Sequence, residues 1–122
     1  MFAAGGITYV YLIYGIHHCL NLVVGEADWP SAILIRATES PAEGRSATGP
    51  GRLTRAFEID RDDDRRSLVG RSLWLEAGEP VPARSIRRTA RIGVDYAGAW
   101  ARRKRRFVIR GHPALSGPRA LG

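Results

Sequence analysis

The chain has 122 residues, room for one compact domain and too few for two comfortable ones. Its 44% hydrophobic content excludes wholesale disorder, and its single cysteine, Cys19, excludes an intramolecular disulfide or a CxxC metal framework. The net charge of +7 is unevenly spread: residues 1–35 carry Glu26 and Asp28 but no Lys or Arg, whereas residues 81–122 carry eleven basic side chains against one acid, Asp95.

The first element in chain order is strand-like. Tyr9 to Tyr14 alternates, with Val10, Leu12 and Tyr14 on one face and Tyr9, Tyr11 and Ile13 on the other. Gly15 supplies the freedom a turn needs, and His18 to Val24 returns, so the pair predicts a hairpin turning at Tyr14-Gly15. A signal peptide or membrane helix over residues 2–24 is disfavoured. Nothing basic precedes Arg36, Asn21 and the His17-His18 pair would be costly in a bilayer, and β-branched and aromatic residues suit strands.

Ala32 to Ala37 predicts a short buried strand, and Glu39 to Pro50 a loop. Gly49-Pro50-Gly51 then opens a helix, capped by Thr48 or Gly49, with Leu53, Ala56 and Phe57 on one face. Asp60 to Arg66 reads as a charged surface turn and Ser72 to Glu76 as a strand. Ile86 to Val94 is expected to be extended, Tyr96 to Arg103 a short helix and Arg106 to Arg110 a strand, with a loose tail from Gly111. No repeats occur. The expected class is α+β: one domain over residues 1–122, a curved, mostly antiparallel sheet with a protruding β-hairpin and a few short helices.

Four features bear on chemistry. The Tyr9, Tyr11 and Tyr14 series suits base stacking or a wedge, or an ordinary aromatic core. Gly49-Pro50-Gly51 with Arg52 and Arg55 suits a phosphate, or is simply a helix start. The run Arg102 to Arg106 would neutralise backbone phosphates, or is a solvated loop. Arg36, at a strand end, either pairs with a carboxylate such as Glu39 or presents donors to a ligand or water. Eighteen of the nineteen basic residues are Arg, which genome composition alone would also produce. Asp60 to Asp64 fails as a calcium loop, because no Gly stands at the sixth position and Arg71 occupies the twelfth. His17 and His18, adjacent on a strand, face opposite ways, so no metal site is expected.

Taken together, Tyr9 to Gly15, Cys19-Leu20-Asn21, Leu34 to Ala37, Gly49 to Leu53, Arg91 to Val94, Tyr96 to Gly98, Trp100, Arg106-Phe107 and Arg110-Gly111 resemble the alkyladenine (3-methyladenine, alkylpurine) DNA glycosylase family. The order is that of the family across nearly the whole chain. The resemblance implies a monofunctional base-excision repair hydrolase. It would bind duplex DNA in the minor groove, flip an alkylated or deaminated purine and hydrolyse its N-glycosidic bond with water. Tyr14 would fill the gap in the stack. Tyr11 would stack on the flipped base and Asn21 would crowd out guanine. Arg36 and the backbone carbonyl of Ile92 would hold the water, and Gly51, Arg52, Arg55, Arg103 and Lys104 would meet the DNA backbone. No metal, cofactor or amine nucleophile is implied. The partner is double-stranded DNA with damaged purines, in a cytoplasmic, nucleoid-associated monomer with no membrane.

Two departures qualify the expected activity. Family members carry a Glu-x-Glu-Ala-Tyr-like strand before the hairpin, whose first Glu is the general base. This sequence begins after it, with Met1-Phe2 matching an internal pair. None of Glu26, Glu39, Glu43 or Glu58 has a matching context, and the loop from Glu43 to Gly49 is short. The expectation is a weak enzyme on its own, with apolar faces of residues 9–13 and 32–35 uncovered. The alternatives are a non-catalytic damage-binding module or pseudogene-like fragment, or an RNA-associated basic protein.

Overall fold

The computed structural model describes residues 5–26, 31–92 and 102–115. The chain divides into two compact units, Met1–Ala77 and Gly78–Gly122. Both are built on antiparallel sheet with short helices, the expected α+β class.

The first unit opens with β1 (Ile7–Ile13) and β2 (His17–Val24), joined by a tight turn. The Ile16 amide donates to the Ile13 carbonyl at 3.2 Å, and both central residues take positive φ, Tyr14 at 53° and Gly15 at 69°. Positive φ at both positions is the type I′ signature, whose twist matches that of paired strands. Strand β3 (Ser31–Leu34) pairs with β2, giving the order β1-β2-β3. It is shorter than Ala32 to Ala37 and is not buried: Ile33 is 51% exposed. As an edge strand it has a neighbour on one side only, and Ala37 has already left to form a lone bridge with Thr48.

Helix α1 (Pro50–Ala56) starts where the Gly-Pro signal puts it. Gly49, not Thr48, stands at the N-cap, and no side chain caps the end. Leu53 and Ala56 pack with Val10, Leu20, Ala47 and Ile59 in the core, with Ile35 and Leu73 against them. Phe57 does not share that face; it falls at the C-cap and is exposed. Thr54 fastens the helix to β2 by donating its hydroxyl to the His18 carbonyl at 2.9 Å.

The charged stretch after α1 does more than turn at the surface. A 3-10 turn, Arg61–Asp63, carries a capping box between Asp60 and Asp63. The chain beyond it then runs along the outer edge of β1. The Thr8 amide donates to the Arg66 carbonyl at 2.8 Å and the Arg65 amide returns to the Thr8 carbonyl at 3.1 Å. The Val10 amide donates to Asp64 Oδ1 at 2.8 Å. The polar composition that suggested solvent serves to satisfy strand backbone. Ser72 to Glu76 forms no strand: Trp74 makes one isolated bridge to Val69, and both side chains are exposed. An apolar run without a partner strand has nothing to complete its ladder.

The second unit contains β4 (Ile86–Thr89), entered from a 3-10 turn at Ala83–Ser85, and β5 (Arg106–Ile109). They pair antiparallel, Ile86 opposite Ile109 and Thr89 opposite Arg106. Strand β4 stops before the expected Val94, with Ala90 to Ile92 outside the ladder. The expected helix from Tyr96 and the Tyr96-to-Gly98 and Trp100 matches lie outside the described residues, apart from Arg102 and Arg103. Among the described residues no helix is long and apolar enough to cross a membrane.

Candidate nucleic-acid interface

The hairpin register builds the site. Pairing Ile13 with His17 sets Tyr11 opposite Cys19 and Tyr9 opposite Asn21. Side chains alternate along a strand, so these four share one face, opposite to that of Val10 and Leu20. The Tyr9 and Tyr11 rings lie 5.4 Å apart, tilted by 36°. Asn21 is buried, and its Nδ2 donates to the Tyr9 carbonyl at 3.3 Å. The β2–β3 register puts Leu34 opposite Asn21; carried past the end of β3, it sets Arg36 opposite Cys19. The Ile35 amide, bonded to the Leu20 carbonyl at 3.0 Å, keeps that alignment. Tyr11, Asn21 and Arg36 therefore gather on one patch of sheet, with Cys19 at its centre.

Titration reflects this grouping. Burial raises the Tyr11 hydroxyl above its usual range, and Cys19 adds to the rise, while a bond to Asn21 opposes it. Burial also raises the Cys19 thiol, against the pull of the Tyr11 hydroxyl and the Arg36 charge. Both groups stay protonated at neutral pH, so the patch offers neutral hydrogen-bonding groups and one cation.

Tyr14 stands apart at the hairpin tip, 86% exposed. Leu12 and Ile16 beside it are exposed too, so the tip is an uncharged apolar projection. A tyrosine at φ 53° is uncommon and costs free energy, the kind of backbone outlier that gathers at functional positions.

On α1, Arg52 and Arg55 are exposed and three residues apart, on the side away from Leu53. With seven residues the helix is short, so its anion affinity rests on those guanidiniums. Gly51 is half-buried; a Cβ there would lie 3.0 Å from His17 Nδ1. Close approach of helix to strand thus accounts for the glycine. Ile92, Arg103 and Lys104 belong to the second unit, Ile92 half-buried in a bend and the other two exposed. The basic run does not stay outside to its end: Arg106 is 4% exposed and donates from Nη1 to Thr89 Oγ1 at 3.1 Å. Desolvation, then Arg87, lowers its pKa. Alternation in β5 turns Arg106 inward and Phe107 outward. Among the described residues no group of three His, Cys, Asp or Glu side chains is placed to hold a metal ion.

Sequence reading gave no role to Cys19, Arg88 or Phe107. A two-residue Tyr14-Gly15 turn would have set His18 opposite Tyr11; the connection holds three residues, Tyr14 to Ile16, and so places Cys19 there. The contact of Arg88 with Phe107 had no local signal, because the register of β4 with β5 sets it.

Comparison with known proteins gives the family. The family model of methylpurine-DNA glycosylase matches residues 1–113. A protein of Anaeromyxobacter dehalogenans strain 2CP-1, provisionally named a 3-methyladenine DNA glycosylase, is 47% identical over 121 residues, covering 97% of this chain and 57% of its own length. Proteins of the same provisional name from Myxococcus xanthus and Legionella pneumophila strain Corby are 46% and 38% identical, over 90% and 95% of this chain and 58% and 64% of their own. The chain spans a little over half the length of the Anaeromyxobacter and Myxococcus relatives. With the family model matched over nearly its whole length, the chain belongs to the methylpurine-DNA glycosylase family.

Proposed function

We propose that the chain carries the lesion-recognising and water-holding part of a DNA glycosylase acting on alkylated or deaminated purines in duplex DNA. The carrying observation is Tyr14: an almost fully exposed aromatic, held at positive φ on a rigid hairpin tip. Entering from the minor groove, its ring would replace the stacking lost when a nucleotide swings out, at an unstacking cost of about a few kcal/mol. The flipped purine would lie on the Tyr11 face, where buried Asn21 leaves little room beside the base and discriminates against the exocyclic amine of guanine. Arg36 would hold the attacking water. In the reaction the water oxygen bonds to C1′, the C1′–N bond breaks and the purine leaves with its electron pair. A water proton must pass to a base.

None of Glu26, Glu39, Glu43 or Glu58 stands in the family's context for that base. Glu58 is held at the surface by Arg45 at 3.6 Å. Base release by this chain alone should therefore be slow, by the ~10²- to 10⁴-fold that a general base provides. Backbone contacts would come from Gly51, Arg52 and Arg55 in one unit and from Arg103 and Lys104 in the other. The proposed molecule is a monomer working in the cytoplasm.

The test compares binding to a duplex bearing one ethenoadenine with binding to its undamaged twin. Tyr14→Ala should cut the preference for the damaged duplex by about tenfold or more. A Tyr14→Ala protein that kept the full preference would sink the proposal. Base release, followed on the same duplex, separates an enzyme from a non-catalytic binding module. The second reading predicts preference for the damaged duplex without base release.

A further inference from the structure

The second unit presents a surface that the hairpin reading does not use. The β4–β5 register puts Ile86 opposite Ile109 and Arg88 opposite Phe107, so all four share one face of the ribbon. That face is open: Phe107 is 62% exposed, and Ile86, Arg88 and Ile109 are exposed with it. The other face carries buried Thr89 and Arg106 and half-buried Val108, with Arg87 exposed beside them, so burial is confined to the Thr89 end of that face. On the open face the Arg88 guanidinium lies over the Phe107 ring, 5.3 Å from its centroid. Arg84 and Arg110 stand exposed at one end of the ribbon, where the Arg110 amide donates to the Ser85 carbonyl at 2.8 Å.

We propose that this outer face of the β4–β5 ribbon is a second nucleic-acid contact, which takes an unpaired base on Phe107 and Arg88 and an adjoining phosphate on Arg84. Three features select that occupant. The apolar part is aromatic and planar, and a π-face stacks on any base. A cation fixed over an aromatic ring extends the platform with a second flat group able to stack. The surrounding charge has one sign, eleven basic side chains against one acid in residues 81–122, which complements a polyanion. A duplex hides its base faces, so the ligand is a single-stranded segment.

The experiment titrates the full chain with fluorescein-labelled undamaged dT12 and U12, reading anisotropy at several salt concentrations. Phe107→Ala should weaken binding by about five- to 150-fold, the range for one lost stack, and leave the salt slope unchanged. Arg84→Gln should instead lower the slope of log K against log salt by about 0.7, one phosphate contact on a single strand. Equal effects on both oligonucleotides mean a strand platform; loss confined to one tells DNA from RNA. Phe107→Leu, which keeps an apolar side chain but no π-face, should behave as Phe107→Ala while matching the wild-type melting curve. Tyr14→Ala should bind both oligonucleotides as wild type does, which separates this site from the damage-recognition reading. Unchanged binding in Phe107→Leu would overturn the proposal. So would unchanged binding in Phe107→Ala accompanied by loss of a dimer, which would assign the face to a second copy of the chain.

Discussion

Tyr14 is a residue whose own backbone argues against its presence. Glycine adopts positive φ freely, whereas a side chain there costs of the order of 1 kcal/mol or more. Tyr14→Gly should therefore stabilise the first unit by about 1 kcal/mol in urea unfolding while abolishing preference for damaged duplex. A substitution that improves folding and removes recognition would show that the strain is kept for function. Asp64 is the converse case, a charged residue serving structure. It accepts the Val10 amide at 2.8 Å in a half-buried position. Asp64→Ala leaves that amide without its acceptor and should cost about 1–3 kcal/mol, read as a lower urea midpoint at constant m. Asp64 looked from sequence like one more surface acid, because its role depends on a partner 54 residues away.

At the scale of elements, legibility followed the range of the signal. The hairpin and α1 stood where the sequence put them, because Gly15 and Gly49-Pro50 act within a few residues. The alternation of Tyr9, Tyr11 and Ile13 against Val10 and Leu12 likewise gave the two faces. The Ser72 to Glu76 run failed as a strand, and β3 failed to be buried, because pairing and cover come from distant chain. The gathering of Tyr11, Asn21 and Arg36 was readable only as resemblance, since nothing local shows that β3 aligns Arg36 with Cys19. Two element-level predictions follow from the observed packing. Leu53 is 1% exposed and ties α1 to the sheet, so Leu53→Ala should cost about 2–5 kcal/mol by chemical denaturation. The paired thiol and phenol set a pH limit. Both hold their protons more firmly when folded, so their contribution is complete below their ordinary values and is lost as pH rises through the raised ones. Unfolding free energy should begin to fall above pH 9.0, the ordinary thiol value, and fall further past 10.0. In Cys19→Ala the first part of that fall should vanish, and the Tyr11 absorbance titration should move down towards 10.0.

For the molecule as a whole, net charge and the aromatic hairpin fall in different units. The aromatic hairpin and the Arg36 patch belong to the first, and the whole of the basic excess belongs to the second. Within the first unit, phosphate contacts and the hairpin tip should still respond to different mutations. Arg52→Gln with Arg55→Gln should lower the salt slope on undamaged duplex by about 1.8, with the ratio of damaged to undamaged affinity nearly unchanged. Tyr14→Ala should do the opposite.

The strip of chain from Asp64 to Leu68 that lines β1 also governs what this sheet can join. It takes up hydrogen-bonding groups along the first half of one rim: Thr8 is bonded to Arg65 and Arg66, Val10 to Asp64 and Gly6 to Leu68. The opposite rim is β3, beyond which no further described strand pairs. A sheet with two bare rims can add copies without end, whereas one with a single bare rim can join only a twin, rim to rim. Strand addition to this sheet is thus directed to the β3 rim and away from the Gly6–Val10 stretch of β1.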